Sequence, residues 1–244
     1  MALKRSFLRV DEELERENGK EELATMKKAN PPNKAPLFKL LGDINGSGGS
    51  GGAGGDNQDS LMLDSIGCTA NVLMIENMRK IYVANAGDSR CVLGRGGRAV
   101  ALSVDHKPED EIELNRIEKA GSVVTEGRVD GNLNLSRALG DLKYKINKNL
   151  KPEEWPITAD PDIKVIDVSP EDDFIIMGCD GIWETKTNEE MVEYIYDRLK
   201  QKKELKTIVE ELLNDIISPD YTQTGKKLKS SIYTIFNTFR WSWL

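Results

Sequence analysis

The sequence predicts an antiparallel α+β fold, and three observations carry that prediction. Short apolar runs follow one another at turn-sized spacing through the middle of the 244 residues. Helical periodicity gathers early and late in the chain. The regular strand–helix alternation of a parallel sheet is missing.

Taken in order, Leu3, Phe7, Val10 and Leu14 lie three or four apart among charges, which predicts a helix with one apolar stripe that runs out near Asn18-Gly19. From there to Asp59 the chain is charged, then carries Asn30-Pro31-Pro32, then the glycine-rich run Gly46–Gly55, and a flexible spacer is expected. Strands are predicted over 68–75, 80–86 and 90–94 at hairpin distances, with Gly96-Gly97 as the next turn. Pro108 opens a charged helix carrying Leu114, Ile117 and Ala120 that stops at Gly121. Two further strands are read at 163–168 and 173–178. Thr187-Asn188-Glu189-Glu190 has capping-box spacing ahead of the stripe Val192, Ile195, Tyr196 and Leu199. A last helix carries Ile208, Val209, Leu212, Leu213 and Ile216.

Composition excludes several classes. At 39% hydrophobic residues the chain can bury a core, and no apolar run approaches the roughly 20 residues a membrane-spanning helix needs. The stretch 1–8 is too short for a signal peptide. Acidic residues exceed basic ones by 41 to 34, a formal charge of −7, which argues against nucleic acid as a partner. Cys68, Cys91 and Cys179 are neither a disulfide framework nor a zinc pattern. They are expected as buried free thiols in a reducing compartment, cytoplasmic or nuclear.

Chemistry concentrates in three places. The apolar run 174–178 ends in Cys179-Asp180-Gly181-Ile182-Trp183-Glu184, which holds a carboxylate at a strand end with room beside Gly181. Hard divalent cations want such rigid oxygen ligands, although Asp-Gly after a strand is equally the signature of a plain turn. Asp88 sits in Ala84-Asn85-Ala86-Gly87-Asp88-Ser89-Arg90, a tight turn between two apolar strands, with Ser89 and Arg90 available to cap it. The third stretch, Gly131 to Asp141, is polar for a segment between strands, and its amides and Arg137 are suited to satisfying loop backbone groups.

Together these runs, with Gly67-Cys68-Thr69-Ala70, Asp105-His106-Lys107-Pro108 and Ala159-Asp160-Pro161-Asp162, resemble the metal-dependent protein serine/threonine phosphatases of type 2C. The resemblance is close from Leu63 to Pro219, is looser over the first helix, and is lost at Gly225. It implies a sandwich of two antiparallel β-sheets with helices on both outer faces. It also implies a two-metal centre of manganese or magnesium, whose bridging water attacks phosphoserine or phosphothreonine in protein substrates. Carried over by position, Asp180 matches a metal-binding Asp, and Asp88 and Glu184 fall where a weaker additional metal binds. The family's phosphate-binding Arg, its Asp-Gly-His-Gly motif and its closing Asp-Asn motif have no counterparts here, so no catalytic residue is assigned. His106, the single histidine, belongs to a different motif and is expected to be structural. The implied organisation is residues 1–17 as the first helix of a truncated domain, 18–60 as an insertion, 61–220 as the phosphatase domain and 221–244 as a tail outside the family pattern. Missing strands would leave an apolar sheet face for a partner chain to cover.

Overall fold

The computed structural model describes residues 2–29, 64–216 and 234–238. Its centre is a sandwich of two antiparallel sheets. Sheet I joins β2 (Ala70–Glu76), β3 (Lys80–Ala86) and β9 (Asp162–Asp167), with β3 in the middle. Sheet II runs β11 (Thr234–Thr238), β10 (Asp172–Gly178), β4 (Arg90–Arg95) and β5 (Arg98–Ala101). Short pairs, β1 (Gly67–Cys68) with β8 (Leu139–Gly140) and β6 (Val124–Thr125) with β7 (Arg128–Val129), flank it.

The side-chain period of two explains the layering. Ile81 and Val83 of β3 meet Cys91, Leu93 and Ile175 of sheet II between the sheets. The alternate residues Val92, Phe174 and Ile176 point outward from sheet II. They pack under α4 (Asp180–Trp183), α5 (Asn188–Lys200) and α6 (Leu205–Ile216) through Trp183, Met191, Ile195 and Leu212. The expected capping box starts α5: Thr187 Oγ1 accepts from the Glu190 amide, and Glu190 returns a carboxylate to the Thr187 amide. The charged helix α3 (Glu111–Lys119) buries Ile117 against Val129, Ala138 and Ile157.

Several expectations are corrected. The runs 80–86 and 90–94 are not a hairpin: β3 and β4 belong to different sheets, so the turn at Gly87-Asp88-Ser89 carries the chain across the end of the sandwich. Hairpins join β2 to β3, turning at Asn77-Met78 with positive φ at both residues, β4 to β5, turning at Gly96-Gly97, and β6 to β7, turning at Glu126-Gly127. The helical pattern does not run out at Asn18-Gly19. After α1 (Ala2–Glu15) a second helix, α2 (Glu17–Ala29), occupies the start of the span expected as insertion, and residues 30–60 lie outside the described residues. A Cβ on Gly19 would stand 2.2 Å from the Glu13 carbonyl oxygen, so the junction of the two helices needs glycine there. Within the span expected as tail, Thr234–Thr238 pairs along the whole of Phe174–Gly178 and forms the edge of sheet II. Cys91 is buried and free as expected, whereas Cys68 is exposed, because β1 is a two-residue bridge rather than part of a covered strand.

The stripe on α1 also differs. Phe7 packs on Ala84 and Ala86, but Val10 is exposed, and the buried place one turn on from Phe7 is taken by Asp11. Its Oδ1 accepts from the Gly140 amide at 2.8 Å, and its Oδ2 meets Nζ of Lys145 at 2.5 Å. Lys145 is wholly buried and also donates to the Ala138 carbonyl. Burial pushes its ammonium below the ordinary lysine value, and Asp11 opposes that. Helix α1 is therefore held to the segment from β8 to Lys145 by a buried ion pair and to sheet I by Phe7.

Beyond α1, the outer face of sheet I presents Val72, Met74, Ile163 and Val165, which are 38, 43, 39 and 47% exposed. No helix of the described residues is long and apolar enough to cross a membrane.

Replacing Asp11 by alanine leaves the Lys145 ammonium buried without its counter-ion. We expect Asp11→Ala to cost about 3–5 kcal/mol of stability by chemical denaturation, and Lys145→Met with Asp11→Leu to recover most of it. A loss below about 1 kcal/mol would mean that the pair carries little of the docking.

Candidate metal and phosphate site

Strand register places the acidic residues. In the β4–β10 pair Arg90 lies opposite Gly178. Counting two residues outward on each strand brings Asp88 and Asp180 to the same end of sheet II. Asp180 opens α4 directly after β10, and Glu184 caps the other end of that one-turn helix. Register thus sets Asp88 and Asp180 at one end of sheet II, with Glu184 one helical turn beyond Asp180. Asp88 is buried, Asp180 half-buried and Glu184 exposed.

The Asp88 turn is held on every side. Gly87 has φ +109°, and a Cβ there would lie 2.5 Å from Thr69 Cγ2 and 3.0 Å from the Arg137 carbonyl oxygen. Ser89 and Thr69 share a hydroxyl–hydroxyl bond of 2.7 Å. Arg90 does not cap the turn: it grips Asp105 with two parallel bonds of 2.9 Å, reaches Asn188, and lies over the Trp183 ring.

His106 is structural, as expected. The Gly87 amide donates to its Nδ1 at 3.2 Å, and its own amide donates to the Gly87 carbonyl. Because Nδ1 accepts, Nε2 carries the proton and donates to Asp162 at 3.2 Å. Asp162 in turn accepts from Arg137 at 2.8 Å, and Arg137 grips the buried Glu113 of α3 with bonds of 2.6 to 3.1 Å. Arg116 completes the group, bonding Glu113 and the carbonyls of Ser136 and Trp155. Arg137 therefore binds two carboxylates, beyond the loop-backbone role its sequence setting suggested. Burial works against ionisation of Glu113, yet the two arginines hold its carboxyl down to about 2. Asp162 is held below the usual carboxylate range by His106 and Arg137. A cavity of about 630 Å³ opens over this network, lined by Arg90, Val104, His106, Lys107, Ile112 and Arg137.

Lys107 was not singled out by sequence, and it meets the site most directly: its Nζ lies 2.5 Å from Oδ2 of Asp88. The buried carboxylate is thus paired with a lysine ammonium. Among the described residues no group of three or more His, Cys, Asp or Glu side chains is placed to hold a metal ion.

A family profile described as "Protein phosphatase 2C" matches residues 53–225. The chain is 41% identical over 230 residues to a probable protein phosphatase 2C 21 of Arabidopsis thaliana, covering 92% of this chain and 64% of that protein. It is 49% identical over 166 residues to human protein phosphatase 1G, covering 65% of this chain and 30% of that one. Among solved structures, a phosphatase from Toxoplasma gondii superposes with TM-score 0.54 at 28% identity over 65% of this chain and 52% of that one. A second, a serine-threonine phosphatase 2C of the same organism, matches in fold with TM-score 0.57 at 21% identity over 74% and 62% of the two chains. The chain spans less than two thirds of the length of these curated relatives.

The Glu113 network generates a pH dependence. A carboxyl whose folded value lies below its unfolded value of about 4.5 stabilises the fold above that value and loses the contribution as pH falls towards 2. Thermal melts should therefore weaken between about pH 5 and 2 in the parent protein, and Glu113→Gln should flatten that slope while lowering stability at neutral pH. An unchanged slope would mean that Glu113 is not a main contributor.

Proposed function

The chain belongs to the protein phosphatase 2C family, and on that premise we propose that it is a domain of a protein serine/threonine phosphatase, hydrolysing phosphoserine and phosphothreonine in proteins. The observation that carries the reading is the register of β4 with β10, which sets the family-matched Asp88 and Asp180 at one end of the sandwich. The family is metal-dependent, using manganese or magnesium. When bound, such ions supply an activated water and neutralise charge on phosphoryl oxygens. On this reading Asp180 is the principal ligand this chain contributes, and Asp88 with Glu184 serves a further ion. The chain's own residues act by support. Gly87, Thr69 and His106 fix the Asp88 backbone, and β10 with α4 holds Asp180 rigid.

A second reading, a module that binds phosphoproteins without turning them over, is favoured by two observations. Lys107 already neutralises Asp88, and no three-residue ligand group occurs among the described residues. The exposed apolar face of sheet I supports a partner chain in either case.

Hydrolysis of a phosphothreonine peptide, with manganese and again with chelator, separates the readings. The phosphatase reading expects manganese-dependent turnover that Asp180→Ala lowers at least about 100-fold. Peptide binding without turnover would establish the binding module, and turnover untouched by Asp180→Ala would make Asp180 only a turn residue.

A further inference from the structure

The cavity over the carboxylate network is also lined by two apolar side chains, Val104 and Ile112, which are 73 and 76% exposed. One exposed apolar side chain is ordinary on a protein surface. Here two are presented to the same cavity on rigid supports. Val104 stands between Ser103, whose Oγ accepts from the Cys91 amide at 2.9 Å, and Asp105, which Arg90 grips. Its own carbonyl accepts from Asn85 Nδ2 at 2.9 Å. Ile112 lies in the first turn of α3, next to Glu113, which Arg116 and Arg137 hold. Neither backbone can withdraw its side chain without breaking these bonds. A ligand that covers the two therefore gains apolar contact at little ordering cost to the protein.

The charges beside them are unevenly satisfied. Arg90 is paired with Asp105, Arg137 with Glu113 and Asp162, and Lys107 with Asp88. Glu111 lines the same cavity, is exposed, and forms no ion pair among the described residues. Apolar contact beside an unmatched carboxylate fits an apolar side chain that adjoins a lysine or arginine. The cavity is also continuous with the acidic end of sheet II. Lys107 lines it and meets Asp88, and a second cavity of about 420 Å³, lined by Glu184, shares Arg90 and Asn188 with it.

We propose that this cavity docks a segment of the substrate polypeptide, taking a leucine-like side chain against Val104 and Ile112 and its basic neighbour at Glu111. These three are then specificity-determining residues, which select the polypeptides held beside the Asp88–Asp180 end. That the docked polypeptide is a substrate rests on the phosphatase reading, whereas the docking chemistry rests on the cavity.

The test measures fluorescence anisotropy of labelled, unphosphorylated peptides on the full chain, identical except for a central Leu-Lys, Ser-Lys or Leu-Glu pair. We expect Leu-Lys to bind about tenfold tighter than Ser-Lys, and Val104→Asp and Ile112→Asp each to remove most of that margin. Glu111→Lys should reverse the order of Leu-Lys and Leu-Glu. All these side chains are exposed, so the substitutions leave the core untouched. Equal binding of Leu-Lys and Ser-Lys by the parent, or a margin that survives both aspartate substitutions, overturns the proposal. Should an aspartate variant fail to fold, Glu111→Lys decides, and an unreversed order overturns it. The peptides carry no phosphate and nothing is hydrolysed, so a failure here is distinct from a failure of the phosphatase reading.

Discussion

The buried grip of Arg137 on Glu113 is the constraint from which the rest of the site follows. Two arginines and a carboxylate out of water carry a desolvation cost that only close pairing and full hydrogen bonding offset. Here both requirements are met. Glu113 receives bonds from Arg116 and Arg137, and the spare donors of the arginines end on the carbonyls of Ser136, Trp155, Pro156 and Asp160. One group thereby ties α3, the loop before β8 and the entry to β9. Through Asp162 and His106 the same chain of bonds ends on the Gly87 amide, one residue from Asp88.

The same economy appears where helices meet the sandwich. Over sheet II the helices dock by apolar side chains, with Trp183, Met191 and Ile195 covering Phe174 and Ile176. Over sheet I the single aromatic anchor Phe7 is supplemented by Asp11 on buried Lys145 and by outer pairs Lys4–Asp160 and Glu15–Lys148. The outer pairs are largely exposed and contribute little to stability. The buried pair specifies α1's position, because sliding the helix by a turn would strand an ammonium in the core.

Much of the fold was legible because its signals are local. Apolar runs marked β2, β3, β4, β9 and β10 to within a residue or two, and Thr187 with Glu190 marked the start of α5. Local signals fail where long-range pairing decides. Nothing in Ala86-Gly87-Asp88-Ser89-Arg90 says whether the two strands it joins are hydrogen-bonded neighbours or lie in separate sheets. Val10 has the right spacing for a buried stripe yet stays exposed, and Asp11 is buried because it pairs with Lys145, 134 residues on. The strand Thr234–Thr238 carries no family motif, and pairing with β10 alone reveals it.

By itself the sequence determined the fold class, the family and the candidate acidic residues Asp88, Asp180 and Glu184, since these depend on residue type and order along short stretches. The tertiary structure alone decided what those residues face. Register brought Asp88 and Asp180 to one end of the sandwich. Burial left the Asp88 side chain in need of a partner, and folding of the loop before α3 supplied one in Lys107. The physical reason is that spacing fixes which residues share a strand or helix face. Electrostatic partnership depends on a few ångströms between segments that only the packed chain brings together.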